Sequence, residues 1–150
     1  MGALAGRLVR NAWFGGAGVS DSPAPPMISR AVTLTRERIV AYAAQFDPQP
    51  QHLDEAAAAG TGFGELVASG WQTAAVSMRL AGEAYPALAG GSYRIDSLKW
   101  QRPVRPGDTL AVEVEILVGS PPRFQITTRA ITTRDGAGEA VQIVLGTILS

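Results

Sequence analysis

The chain contains no cysteine and a single histidine among its 150 residues. The first absence excludes disulfides, thiolate metal sites and a cysteine nucleophile together. The second leaves any zinc, copper or non-haem iron site short of its nitrogen ligands. No aspartate-rich loop of the calcium-binding kind is present either, so no metal is expected. Basic and acidic side chains balance at 13 each, which removes the electrostatic drive that nucleic-acid binders use. No apolar run approaches the roughly 20 residues that cross a bilayer. The expectation is a cytoplasmic protein with neither nucleic-acid nor membrane partners. Internal repeats are lacking as well. Imidazole acid–base chemistry near neutral pH would fall to His52 alone.

What the chain does have is glycine (17) and proline (10), with 46% apolar and 17% charged residues. Its length suits one domain with a real core. Residues 1–26 hold Gly15, Gly16, Gly18, Pro23, Pro25 and Pro26 without a sustained helix or strand period. Arg7, Arg10, Asn11 and Gly15 interrupt any signal-peptide apolar stretch. This segment reads as an extended or poorly ordered leader, and residues 27–150 as the domain.

Ile28 to Leu34 reads as a short strand. Thr35 is placed to cap a helix with Glu37 in its first turn and Ile39, Ala43 and Phe46 on one face. Pro48 and Pro50 end that helix. Leu53 to Ala59 suits a short helix opened by Asp54 and Glu55, and Gly60, Gly62 and Gly64 break the chain. A longer helix runs from Ser69 to about Gly82, with Trp71, Ala74, Ala75 and Met78 as its apolar side. Alternation then takes over. It slips at Asp96–Ser97, the sign of a bulge, and a turn follows at Pro106-Gly107-Asp108. Leu110, Val112, Val114, Ile116 and Val118 alternate against Glu113 and Glu115, as in a sheet with one wet face. Phe124 to Thr133 and Glu139 to Leu149 pair across residues 135–138. Helices first and hairpin-linked strands after exclude a doubly wound parallel sheet and predict an α+β domain, one antiparallel sheet wrapped around a long helix.

Two places carry candidate chemistry. In Phe46-Asp47-Pro48-Gln49-Pro50-Gln51-His52, two prolines stiffen a loop that holds a carboxylate and the sole imidazole five residues apart. Such a pair around one water can orient it and take its proton. The alternative is that Asp47 caps a turn and His52 packs at a helix start. In Ala68-Ser69-Gly70-Trp71, the first amides of a helix can polarise a carbonyl at Gly70; the alternative is an ordinary serine cap with a glycine chosen for close packing. Lys99, Arg102 and Arg105 either meet phosphates near a site entrance or are solvated strand charges. A nucleophile elbow and a phosphate-binding loop are both missing.

Asp47-x-Gln49-Pro50-x-His52, with Ala58 six residues on, resembles the Asp-x-Asn-Pro-x-His-x5-Ala signature of the MaoC-like dehydratases, which include the (R)-specific enoyl-CoA hydratases. Phe63 to Trp71 is similar to the stretch leading into that family's central helix. Trp100 to Asp108 is similar to its Pro-Val-x-x-Gly-Asp turn. The likeness spans residues 28–149 in order. It implies a hot-dog fold, usually dimeric, and syn addition of water to a trans-2-enoyl thioester or the reverse. Asp47 and His52 would then hold and deprotonate the water, and Gly70 would polarise the thioester carbonyl. Gln49, Pro50, Ser69 and Trp71 would lie around the substrate. Coenzyme A would enter as the substrate's carrier, with no bound cofactor. The chain departs from the family pattern at Gln49, where asparagine is usual, at Phe46, where a small residue is, and at Met78, where some members carry serine. A thioesterase or a non-catalytic acyl-binding subunit are the alternatives within the same fold.

Overall fold

Thr35 opens the first helix, its hydroxyl accepting a 3.2 Å hydrogen bond from the Arg38 amide. In the computed structural model, which describes residues 25–131 and 138–149, it caps helix α1 (Arg36–Phe46). Two single-turn helices follow, α2 (Pro50–Leu53) and α3 (Glu55–Ala59). Asp54 separates them by standing in extended backbone and capping α3 through the Ala56 amide at 2.8 Å. The expected single helix over 53–59 is therefore two. Helix α4 (Gly70–Ala84) is the longest, and α5 (Pro86–Gly90) follows it across Tyr85.

The strands are β1 (Met27–Ile28), β2 (Val32–Thr33), β3 (Tyr93–Trp100), β4 (Thr109–Leu117), β5 (Arg123–Ile131) and β6 (Glu139–Ile148). Their antiparallel order is β1–β4–β5–β6–β3, and β2 also pairs with β4. The one strand expected over Ile28–Leu34 is thus two fragments on the same neighbour. Between them Ser29 replaces part of the ladder, its amide donating to Val112 O and its hydroxyl accepting from the Val112 amide, both at 2.9 Å. A side-chain oxygen has taken a backbone carbonyl's place, and the strand regularity ends there. The expected bulge is present, with a register shift between Ile95 and Ser97. Gly107 supplies the left-handed residue of the predicted turn, at φ 89°. Val118 falls outside β4 and is exposed. Residues 135–137 of the expected turn and the leader to residue 24 lie outside the described residues.

Helix α4 lies over β4 and β5, and Leu80 and Ala81 pack there with Val112, Val114, Phe124, Ile126 and Val144. A second cluster, including Leu34, Ile39, Leu66, Val104 and Val141, fills the space beneath α1. Two predicted faces are corrected. On α4 the buried side holds Gln72, Thr73, Ser77, Leu80 and Ala81, while Trp71 is 59% exposed and Ala75 is exposed too. Polar residues can occupy that side because their hydroxyls are satisfied. Ser77 donates to Thr73 O and meets the Thr128 hydroxyl, both at 2.6 Å, so burial leaves these hydroxyls paired, whereas Gln72 donates its Nε2 to Arg38 O and keeps an unpaired Oε1 among the described residues. Phe46 is exposed on the rim of α1, its ring 5.1 Å from Tyr42. Periodicity identifies a face but not where the core beneath it ends. Glu113, expected on a wet face, is buried, and burial pushes its carboxyl above the ordinary range.

The sheet closes tightly where Phe124 opposes Gly146. A Cβ at Gly146 would sit 2.1 Å from Phe124 Cζ and 2.7 Å from the Arg94 carbonyl oxygen. Ring and backbone cannot both yield, so Gly146→Ala is expected to lower the unfolding free energy by about 1–3 kcal/mol. At Gly62 a Cβ meets nothing within 4 Å, and Gly62→Ala should change it by less than about 0.5 kcal/mol. Denaturant unfolding of the two variants checks both values.

Candidate active site

Helix α1 ends at Asp47, whose amide still donates to Ala43 O at 2.9 Å. The chain then reverses sharply. The Gln49 amide donates to Asp47 O at 2.8 Å, the His52 amide to Gln49 O at 3.0 Å, and Pro50 occupies the first turn of α2, where its missing N–H costs nothing. This turn brings the two polar heads together, with His52 Nε2 3.5 Å from Asp47 Oδ2 and both side chains largely buried.

The ring's other nitrogen fixes its state. His52 Nδ1 lies 2.8 Å from Val67 O. A carbonyl only accepts, so Nδ1 carries a proton, and in the neutral ring Nε2 then presents a lone pair. Val67 is itself held, its amide donating to Gln51 O at 2.9 Å and the next amide, Ala68, to Val104 O at 2.8 Å. In this tautomer Nε2 and Oδ2 are both acceptors, so they form no hydrogen bond with each other. Side by side, they are placed to accept the two protons of one water.

Asp47 is held from both sides. Ser69 Oγ donates to Oδ2 at 2.6 Å and Gln49 Nε2 to Oδ1 at 2.8 Å, while Gln51 Nε2 donates in turn to Gln49 Oε1 at 2.9 Å. The Ser69 bond is the main reason the carboxyl lies below the ordinary aspartate range; Gln49 and the nearby imidazole add to it, and burial opposes them. The longer side chain of Gln49 thus reaches the carboxylate directly.

Ser69 also caps α4, accepting from the Trp71 amide at 3.2 Å. The Gly70 amide, at the positive end of the helix dipole, has no hydrogen-bond partner among the described residues. Trp100 lies flat against Gly70. A Cβ there would fall 2.6–2.9 Å from three indole atoms, so only glycine fits. Trp71 meets Trp100 edge-on at 5.1 Å.

These groups face one open cleft of about 400 Å³, whose walls include Asp47, His52, Gly70, Trp71, Trp100 and Arg102. Of the residues expected around a substrate, Gln49 and Trp71 are on the wall. Pro50 is not on it, and its work is to stiffen the turn. Ser69 is fully buried behind Asp47 and acts through it. Of the three basic candidates only Arg102 lines the cleft; Arg105 pairs with Glu65. Sequence reasoning missed the Val67 carbonyl, the Ser69–Asp47 bond and Trp100. The serine could be read as a cap, but nothing in its spacing announced the carboxylate. No cluster of His, Asp and Glu suited to a metal occurs among the described residues. No helix among them is long and apolar enough to cross a membrane.

Comparison with known proteins places these features in a family. The family model of the MaoC-like domain matches residues 21–136. The (R)-specific enoyl-CoA hydratase of Aeromonas caviae is 38% identical over 110 residues, covering 69% of this chain and 81% of that protein. Among solved structures, the MaoC-like dehydratase from Rhodospirillum rubrum superposes with a TM-score of 0.69 at 37% identity, covering 89% of this chain and 95% of that one. An (R)-hydratase from Pseudomonas aeruginosa does so with a TM-score of 0.63 at 28% identity, covering 85% and 81%. The antiparallel sheet with its long helix is the hot-dog fold of these structures.

The environment of Asp47 has a signed consequence. A carboxyl whose pKa is lowered on folding contributes stability above its unfolded value, about 3.9, and loses it as pH falls through the folded value. The unfolding free energy of the wild type minus that of Asp47→Asn should therefore grow as pH rises from about 3 to about 5, and be flat above that. A difference that shrinks over the same interval would show that folding raises the Asp47 pKa instead.

Proposed function

We propose, because the chain belongs to the MaoC-like domain family, that it is an (R)-specific enoyl-CoA hydratase, or 3-hydroxyacyl-CoA dehydratase in the reverse direction. It adds water across the C2–C3 double bond of a trans-2-enoyl thioester. One observation carries the reading: two acceptors, Asp47 Oδ2 and His52 Nε2, stand 3.5 Å apart at the cleft, beside the Gly70 amide at the start of α4, which has no partner among the described residues.

One water donates a hydrogen bond to each acceptor. Its oxygen attacks C3 as His52 Nε2 takes a proton, and Asp47, ionised, steadies the imidazolium that forms. The π electrons of C2=C3 move to C2 and the thioester oxygen, where the Gly70 N–H and the helix dipole meet the developing negative charge. The proton on Nε2 then returns to C2. Water and proton come from one side of the substrate, so the addition is syn. Every group in this cycle belongs to the polypeptide or the substrate, and the reading calls for no further cofactor. Arg102 on the cleft wall is placed for the carrier's phosphates, and the aromatic faces of Trp71 and Trp100 for its thioester arm. Among the described strands β3 pairs with β6 alone, and its other edge supports a homodimer in which two copies join their sheets. The proposed setting is the cytoplasm.

With trans-2-butenoyl-CoA, the wild type should consume the enoyl absorbance without releasing free thiol. His52→Ala and Asp47→Asn should each lower kcat by about 10²–10⁴-fold. Full activity in either variant would refute the assignment of roles, and thiol release in place of hydration would make the protein a thioesterase.

A further inference from the structure

A chain of hydrogen bonds reaches Asp47 from the far side of the cleft. Trp100, the last residue of β3, has its indole N–H 2.9 Å from Gly70 O and 3.0 Å from Gln142 Oε1. The Gly70 carbonyl and the Trp71 amide are two ends of one peptide group. That amide donates to Ser69 Oγ at 3.2 Å, and Ser69 Oγ donates to Asp47 Oδ2 at 2.6 Å. Every donor points the same way, from indole to peptide to hydroxyl to carboxylate. Donation to a carbonyl makes the amide of the same peptide a better donor. A hydroxyl that accepts from a better donor donates better in turn, so such chains strengthen along their length.

We propose that Trp100 is a positioning residue for Asp47, acting at a distance through the Gly70–Trp71 peptide and Ser69 to hold the carboxylate in place and unprotonated. Gln142 sets how much of the effect arrives. It is fully buried, and its Oε1 competes with Gly70 O for the single indole proton. Its Nε2 has no partner among the described residues, so the residue stays there without full satisfaction of its own amide by them. The arrangement makes the end of an edge strand part of the acid–base machinery. The titratable and charged groups around Asp47 are His52 on α2, Tyr42 on α1, whose hydroxyl feels its charge, and Arg102 on the opposite cleft wall. None of them is in the chain of bonds, to which α4 brings the Gly70–Trp71 peptide and its cap the Ser69 hydroxyl.

The role as positioning residue rests on the reading of Asp47 as the catalytic carboxylate, but the test needs no turnover. The Asp47 carboxyl carbon is followed by NMR through an acid titration, its resonance assigned by loss in Asp47→Asn. Trp100→Phe keeps a ring over Gly70 and deletes the N–H. The proton affinity of Asp47 should then rise about twofold, in keeping with the modest size of such cooperativity. Ser69→Ala removes the direct bond and should raise it on the order of tenfold or more. In the Ser69→Ala background, adding Trp100→Phe should have no further effect, because the link is cut. Gln142→Leu frees the indole proton for Gly70 and should shift the titration slightly the other way. An unchanged midpoint in Trp100→Phe, or a rise that persists in the double variant, would reduce Trp100 to packing. A rise in Gln142→Leu equal to that in Trp100→Phe would also overturn the proposal. Because titration and hydration are read separately, an inactive protein with these shifts would leave the relay standing and remove only the proposed activity.

Discussion

The hydrogen bond from Ser69 to Asp47 is where the helix layer and the proline-stiffened loop of residues 47–52 meet. At 2.6 Å it is a charge-assisted contact, and it fastens the end of α1 to the start of α4. The serine serves both sides, accepting from the amide of its own helix and donating to the carboxylate of another. A cap satisfied only by water would leave α4 just as helical but Asp47 unheld. The carboxylate in turn gives the imidazole its neighbour, while the Val67 carbonyl gives that ring its tautomer. Two stretches of chain, 47–52 and 67–69, thereby converge on one small volume, and the cleft has its polar corner.

The rest of the fold makes that corner rigid. Val67 and Ala68 are pinned to Gln51 and Val104 by backbone bonds, so the imidazole's anchor cannot drift. Trp100 closes on Gly70 from the edge of the sheet, at a distance only glycine permits. The Gly70 amide, without a partner among the described residues, is the counterpart of the dyad in the proposed reaction: one side of the cleft would accept protons and the other receive negative charge. The polar residues inside α4 support the same architecture. Thr73 and Ser77 return their hydroxyls to the helix and to Thr128, which lets α4 approach the sheet without large side chains between them.

Much of this was legible in the sequence, where a local rule had a local cause. Thr35 and Ser69 cap because short oxygens next to a helix start satisfy free amides. The bulge near Asp96 appears because the alternation slips there, and the Asp47–His52 pairing because two prolines leave the loop few other shapes. Family resemblance added the roles of those residues. What was not legible arises from tertiary contact. Phe46 keeps helical phase yet lies beyond the core; Glu113 keeps strand phase yet is covered. Ser69 looks the same in sequence whether its hydroxyl faces water or a carboxylate. Trp100 reads as one more apolar strand residue until the strand end is seen against Gly70. Hydrophobicity alone favours Ala75 and Trp71 for the core face of α4, whereas the buried side holds Thr73 and Ser77, whose hydroxyls are hydrogen-bonded there.

If Asp47 and His52 handle the water from one side of the substrate and the same imidazole returns the proton, the stereochemistry of addition is dictated by the site. The direct measurement is hydration of trans-2-butenoyl-CoA in deuterium oxide, with the product's configuration read at both carbons. The account predicts a single (3R)-hydroxyacyl product carrying deuterium at C2 on the same face as the new hydroxyl. An anti product, a (3S) alcohol or deuterium scrambled at C2 would contradict it.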